Sequence, residues 1–210
     1  MRPYPIMRYI IPPLVRLWIK KVTGTEHIPK DKAFILAPNH SSYIEHLMLG
    51  SIILEHLNKR FYALAKKEHF DNFLEVAWHR YIRAIPLDRS KGDDTLRIAV
   101  DHLKQGKIIM IYPEGTRTLT GKIQQGKTGA VRLAIWAQVP VVPCGIKGTF
   151  DILPKGKTIP RLKRATIHFG KPITFEKYYG KPMTKTLLRE GTTTLMKEIA
   201  RLSDQEYPFD

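Results

Sequence analysis

Apolar residues along the chain gather into short runs separated by polar, periodic stretches. The run at 33–37 follows turn residues and reads as a buried strand, those at 61–65, 107–112, 139–146 and 165–170 read as further strands, and 81–87 is another extended run. After residue 42, Ile44, Leu47, Met48, Ile52 and Leu54 recur at helical spacing. Further helices are predicted over 67–80, 93–105, 126–137 and 184–203, the second of these opening on Asp93-Asp94 and closing at Gly106. Strands alternating with helices predict an α/β fold with a mixed, mostly parallel sheet flanked by helices. In such sheets, ligand sites gather beyond the carboxyl ends of strands. Polar segments stand at that position at 38–45 and 113–118, and a third, Asp88-Arg89-Ser90, follows the run at 81–87.

The N-terminus departs from this alternation. Residues 1–25 contain Arg2, Arg8, Arg16, Lys20 and Lys21 and no acidic residue, with Ile10, Leu14, Leu17, Trp18 and other apolar side chains between them. A helix starting near Pro13 would put Leu14, Leu17 and Trp18 on one side, with Arg16 and Lys20 nearer the other. That is the pattern of an interfacial amphipathic segment, and each basic residue near an anionic leaflet contributes about 1 kcal/mol. Residues 1–22 are therefore expected to contact a membrane and residues 23–210 to form the domain. An ordinary helix packed on its own domain is the alternative. No stretch reaches the roughly 20 apolar residues that a spanning helix needs.

Composition narrows the partners. The chain has 210 residues, suiting one domain, and a formal charge of +16 from 35 basic and 19 acidic residues. Such an excess implies a negatively charged partner: nucleic acid, anionic lipid or a phosphorylated substrate. Nucleic acid rests on charge alone and is not expected, since no helix-turn-helix or RNA-binding aromatic pattern accompanies it. The single cysteine, Cys144, rules out an intramolecular disulfide and a cysteine-built zinc site, and no histidine array has ligand spacing, so no metal is expected. Gly-x-Ser-x-Gly and the Walker phosphate loop are both missing, which weakens a serine nucleophile and a nucleotide-binding loop.

Two segments carry candidate chemistry. His40 and Glu45 are five residues apart, about 500° on an ideal helix, so they meet only if His40 lies in the turn before the helix and Glu45 in its first turn. The carboxylate could then orient one imidazole nitrogen and leave the other to take a proton. Ser42-Tyr43-Ile44-Glu45 also matches a capping box, which by itself would explain Glu45. In residues 113–117, Gly115 permits close backbone approach, and amide N–H groups with the Arg117 fork suit a phosphate. A polar turn with a surface arginine is the plainer reading. Arg89 could add a second positive charge or simply pair with Asp88. Lys66 and Lys67 stand at the same edge, where a solvated pair is the default and Lys67 a candidate contact for a donor.

The ordered set of segments resembles the glycerolipid acyltransferase family, typified by 1-acylglycerol-3-phosphate acyltransferases. Its Asn-His-x4-Asp motif corresponds to Asn39-His40 and Glu45. Its second motif ends in an arginine, here Arg89. Pro-Glu-Gly-Thr-Arg stands unchanged at 113–117, and an apolar stretch around prolines runs from Val139 to Gly145 and on to Gly148-Thr149. The resemblance spans about residues 22–155. It implies direct acyl transfer from acyl-CoA or acyl-carrier protein, with no other cofactor, to the free hydroxyl of a lysophospholipid, by default lysophosphatidic acid, in phospholipid biosynthesis. By that resemblance, His40 is the base and Glu45 its partner. Arg89, Glu114, Gly115, Thr116 and Arg117 would shape the acceptor's phosphate site, and Pro143 would wall the acyl chain. A peripheral or monotopic position on the cytoplasmic face of a membrane follows from the same resemblance. Glu45 stands where the family usually has aspartate. That substitution opens two alternatives: a different acceptor lipid, or a weakened site that only binds anionic lipid.

Overall fold

The computed structural model describes residues 9–59, 61–67, 84–88 and 93–210. Among them, seven strands form one sheet: β1 (Ile19–Thr23), β2 (Ile35–Pro38), β3 (Phe61–Lys66), β4 (Ile85–Leu87), β5 (Ile108–Met110), β6 (Val141–Lys147) and β7 (Ala165–Phe169). Their order is β1-β7-β6-β2-β5-β3-β4. Every pairing is parallel except β6 with β7. The helices are α1 (Ile11–Arg16), α2 (Ile44–Leu57), α3 (Asp93–Lys104), α4 (Gly129–Ala137), the single turn α5 (Thr149–Ile152) and α6 (Lys185–Leu202). The mixed, mostly parallel α/β sheet expected from the alternation is the one observed.

Strand β2 shows why the sheet is buried on both sides. Its neighbour Phe34 and its own Leu36 enter one apolar cluster with Met48, Leu49 and Ile53 of α2, while Ile35 and Ala37 enter the other with Leu103, Leu133 and Leu195. Side chains alternate across a strand, so a continuous apolar run is what two covered faces require. Helix α3 follows the complementary rule: Leu96, Ala99, Val100 and Leu103 form its buried stripe at three- and four-residue spacing. Gly145 lets the end of α6 approach the sheet, since a Cβ there would lie 2.2 Å from the Leu202 carbonyl carbon.

The N-terminal expectation needs correction at its boundary. The division at 22/23 falls inside β1, which pairs with β7 and belongs to the sheet. Lys20 and Lys21 disguise this strand, but β1 is an edge strand, where charged side chains can remain in water. The helix before it packs against α2 and buries Val15. Leu14 and Leu17, expected on its apolar side, are 53% and 61% exposed. Residues 1–8, the predicted extended residues 81–83, Arg89 and nearly all of the predicted helix at 67–80 lie outside the described residues.

Candidate active site

The turn after β2 is fastened to β6 by a side chain. The Asn39 side chain accepts the Ile146 N–H (2.7 Å) and donates to the Ile146 carbonyl (2.9 Å), continuing the β2–β6 ladder for one more residue. Beyond it the chain turns, and α2 starts with Tyr43 as its N-cap. This places His40 before the helix and Glu45 in its first turn, the only arrangement in which the two can meet.

They do meet. His40 Nδ1 lies 2.8 Å from Glu45 Oε2. The Glu45 carboxylate is fully buried, yet it is not stranded. It accepts from the Ser41 N–H (3.0 Å), the Ser41 hydroxyl (2.8 Å), the Ser42 N–H (3.0 Å) and the Thr149 hydroxyl (2.5 Å). A buried carboxylate needs such a set of donors, because unpaired charge in a core is strongly destabilising. The capping-box reading survives only in part. The carboxylate does reach back to the Ser42 N–H, but the Ser42 hydroxyl accepts from the Ile44 N–H (3.3 Å) and donates to the Leu153 carbonyl (2.7 Å). Glu45 therefore serves the imidazole and the turn together.

A second loop clamps the histidine. Residues 113–118 follow β5, and Gly115 adopts φ +70°, a left-handed conformation natural to glycine. The Glu114 carboxylate is buried and accepts the His40 N–H (2.7 Å), while the Thr118 N–H donates to the His40 carbonyl (2.9 Å). Gln124 also donates to Glu114 from its backbone (2.9 Å) and side chain (3.1 Å), and from that side chain to the Thr116 carbonyl (2.9 Å). Burial pushes the Glu114 pKa up to about 7, with these N–H donors pulling against it. The Tyr112 ring stacks on the imidazole at 3.6 Å between centroids and 17° between planes. The imidazole is thus fixed by its ring face, by Nδ1 and by both backbone groups of its residue.

The residues expected around a phosphate divide. Arg117 stays partly exposed, its guanidinium 3.5 Å above the centroid of Tyr43, which is itself 50% exposed beside the His40 turn. Gly115 and Thr116 lie in the same partly open loop. Glu114 instead turns its carboxylate inward, onto His40 and Gln124. Two further expected residues stand outside this hydrogen-bonded cluster. Pro143 is buried in β6 opposite Ala37, and Lys67 pairs with Asp88 (3.3 Å) with its side chain 63% exposed. Thr149, Gln124, Tyr112 and Tyr43 received no role from the sequence. Thr149 is 104 positions from Glu45, and no local spacing could have joined them.

Comparison with known proteins identifies the family. The family described as Acyltransferase matches residues 20–147. The 1-acyl-sn-glycerol-3-phosphate acyltransferase of Bacillus subtilis is 29% identical over 188 residues, covering 88% of this chain and 90% of that protein. The bovine 1-acyl-sn-glycerol-3-phosphate acyltransferase alpha is 27% identical over 188 residues, and there the chain spans only 63% of the relative's length, against 86% of its own. Among solved structures, the 1-acyl-sn-glycerophosphate (LPA) acyltransferase PlsC of Thermotoga maritima superposes with a TM-score of 0.65 at 25% identity, covering 88% of this chain and 72% of that one. The family match runs from β1 to the end of β6 and takes in both the His40–Glu45 turn and the loop at 113–117, so this chain belongs to the Acyltransferase family.

Proposed function

We propose that the chain transfers a fatty-acyl group from an acyl thioester, of coenzyme A or of acyl-carrier protein, to the free hydroxyl of 1-acylglycerol-3-phosphate, giving phosphatidic acid. The observation that carries this reading is the 2.8 Å contact between His40 Nδ1 and the buried Glu45 carboxylate. Glu45 is an acceptor, so Nδ1 carries the proton and the Nε2 lone pair faces the reaction. Nε2 takes the acceptor hydroxyl proton as the oxygen attacks the thioester carbonyl carbon. The tetrahedral intermediate collapses, the C–S bond breaks, and the Nε2 proton passes to the leaving thiolate. The imidazolium formed in between lies against Glu45. General-base help of this kind contributes about 10²–10⁴-fold.

Arg117 supplies charge for the acceptor's phosphate, held in place by stacking on Tyr43. Arg89, which follows β4 in the sequence, would add a second cation. The relatives named for 1-acyl-sn-glycerol-3-phosphate support this acceptor. The set of donors around Glu45 argues against a weakened, purely lipid-binding site, because every contact uses the longer side chain. The test is free thiol released from purified protein given a long-chain acyl thioester and lysophosphatidic acid. His40→Ala should abolish it. Thiol release by His40→Ala at the wild-type rate would refute the mechanism.

A further inference from the structure

The loop between α5 and β7 holds two apolar side chains out in water. Ile159 is 81% and Leu162 89% exposed, the most exposed large apolar residues among those described. Between Pro154 and Arg164 the loop carries five basic residues and no acidic one, and all five are exposed. Its backbone is nevertheless tied down. The Arg161 N–H donates to the Ile152 carbonyl (2.8 Å), the Lys163 N–H to the Arg161 carbonyl (2.8 Å), and the Arg164 guanidinium to the Ile19 carbonyl (2.8 Å). Leu162 sits between these fastened residues, so its exposure is built into the fold.

The loop also joins two other features. The Trp18 indole N–H donates to the Arg161 carbonyl (2.9 Å), which fastens the loop to the segment that follows α1. At its other end, the Leu153 carbonyl accepts the Ser42 hydroxyl, and Pro154 bridges to Ser42, two residues beyond His40. A line of hydrogen-bonded contacts thus runs from the end of α1 through the loop to the candidate catalytic turn.

We propose that the loop at 154–164 is a second membrane anchor, which inserts Ile159 and Leu162 among the acyl chains of an anionic leaflet while its cations meet the headgroup phosphates. The arrangement fits that partner for a physical reason. Apolar side chains on a rigid basic loop gain from shallow insertion, and the cations gain from a negative surface potential. Nucleic acid would use the charge but gain nothing from isoleucine and leucine. The anchor goes beyond the predicted N-terminal segment, and it holds the His40 turn at the level where a lysolipid acceptor and its product reside.

The test is flotation with phosphatidylcholine vesicles, with and without phosphatidylglycerol. Wild-type protein should bind the anionic vesicles, more weakly at high salt. The double variant Ile159→Asn, Leu162→Asn should lose about tenfold or more in partitioning, with an unchanged unfolding temperature. Lys155→Gln and Lys157→Gln should each lose about fivefold, on anionic vesicles only. Unchanged partitioning of the double variant overturns the proposal. So does a double variant that keeps vesicle binding but changes oligomeric state, which would make the loop a contact between copies. An environment-sensitive dye on Ile159→Cys should shift to the blue on anionic vesicles, and its failure to shift would also overturn the proposal. Acyl transfer assayed in detergent micelles separates the two readings: loop variants should retain it, and its absence from wild type would sink the proposed reaction while leaving the anchor standing.

Discussion

Glu45→Asp asks whether the site is built around the longer carboxylate. Removing one methylene draws the carboxylate back by about 1.5 Å. The His40 contact, 2.8 Å in the structure, would open to about 4 Å, beyond hydrogen-bonding distance. The contacts to the Ser41 hydroxyl (2.8 Å) and the Thr149 hydroxyl (2.5 Å) would open with it. Helix α2 cannot follow the shortened side chain, because Met48, Leu49 and Ile53 are fully buried against the sheet. The imidazole would lose the partner that sets its tautomer and stabilises its charged form. We expect kcat to fall about 10–10³-fold, with the KM for the acceptor nearly unchanged because Arg117 is untouched. The methylene-sized void should cost about 1 kcal/mol, and each weakened charged hydrogen bond about 1.5–3 kcal/mol. An unfolding temperature lower by several degrees should accompany the loss of rate. The assay is initial-rate thiol release at varied acceptor, with thermal unfolding measured on the same preparations. Aspartate is the residue the family usually carries here, so the outcome is not trivial. Activity of Glu45→Asp at or above the wild-type rate would refute the reasoning.

Thr149→Val removes one hydroxyl from Glu45 at constant shape. It should lower kcat about 3–10-fold with little change in KM, as expected for about 1 kcal/mol of lost positioning, and Thr149→Ser should restore it; equal kinetics for Val and wild type would show that Thr149 only packs. Tyr43→Ala frees the Arg117 guanidinium from its ring and should raise the acceptor KM about 2–30-fold, whereas Tyr43→Phe, which keeps the ring, should not. Glu114 gives a pH signature. Its pKa is about 7 folded against 4.5 for the free side chain, so between those values the folded state holds a proton that the unfolded chain lacks. Stability from this group therefore grows as pH falls from 7 towards 4.5, by up to about 3 kcal/mol, and is lost as pH rises through 7. Melting curves over that range should slope less for Glu114→Gln than for wild type, and identical slopes would count against the shift.

Much of the fold was legible because burial leaves a periodic trace. A strand covered on both faces must be apolar throughout, as Phe34 to Ala37 is, and a helix covered on one face must repeat its apolar residues every three or four positions, as α3 does. The strand β1 left no such trace. It lies at the sheet edge, where Lys20 and Lys21 can stay in water, so its residues look like the end of a basic amphipathic segment. Register and neighbours are settled by pairing with β7, which lies more than 140 residues away.

The candidate site divides on the same principle. The spacing of His40 and Glu45 around a strand-turn-helix is local, so the sequence alone determined that they could meet, and the loop at 113–117 is a contiguous segment at a strand end. Only the tertiary structure decided what surrounds them. It brings Thr149 onto Glu45 from beyond β6, lays Tyr112 on the imidazole, sets Arg117 on Tyr43, and turns Glu114 inward to hold the His40 backbone. It also fastens the loop at 154–164 to Trp18 while leaving Ile159 and Leu162 in water. Periodicity records whether a residue is buried. It carries no record of which distant donor satisfies a buried carboxylate, because that choice follows from strand order, and strand order is a property of the whole sheet.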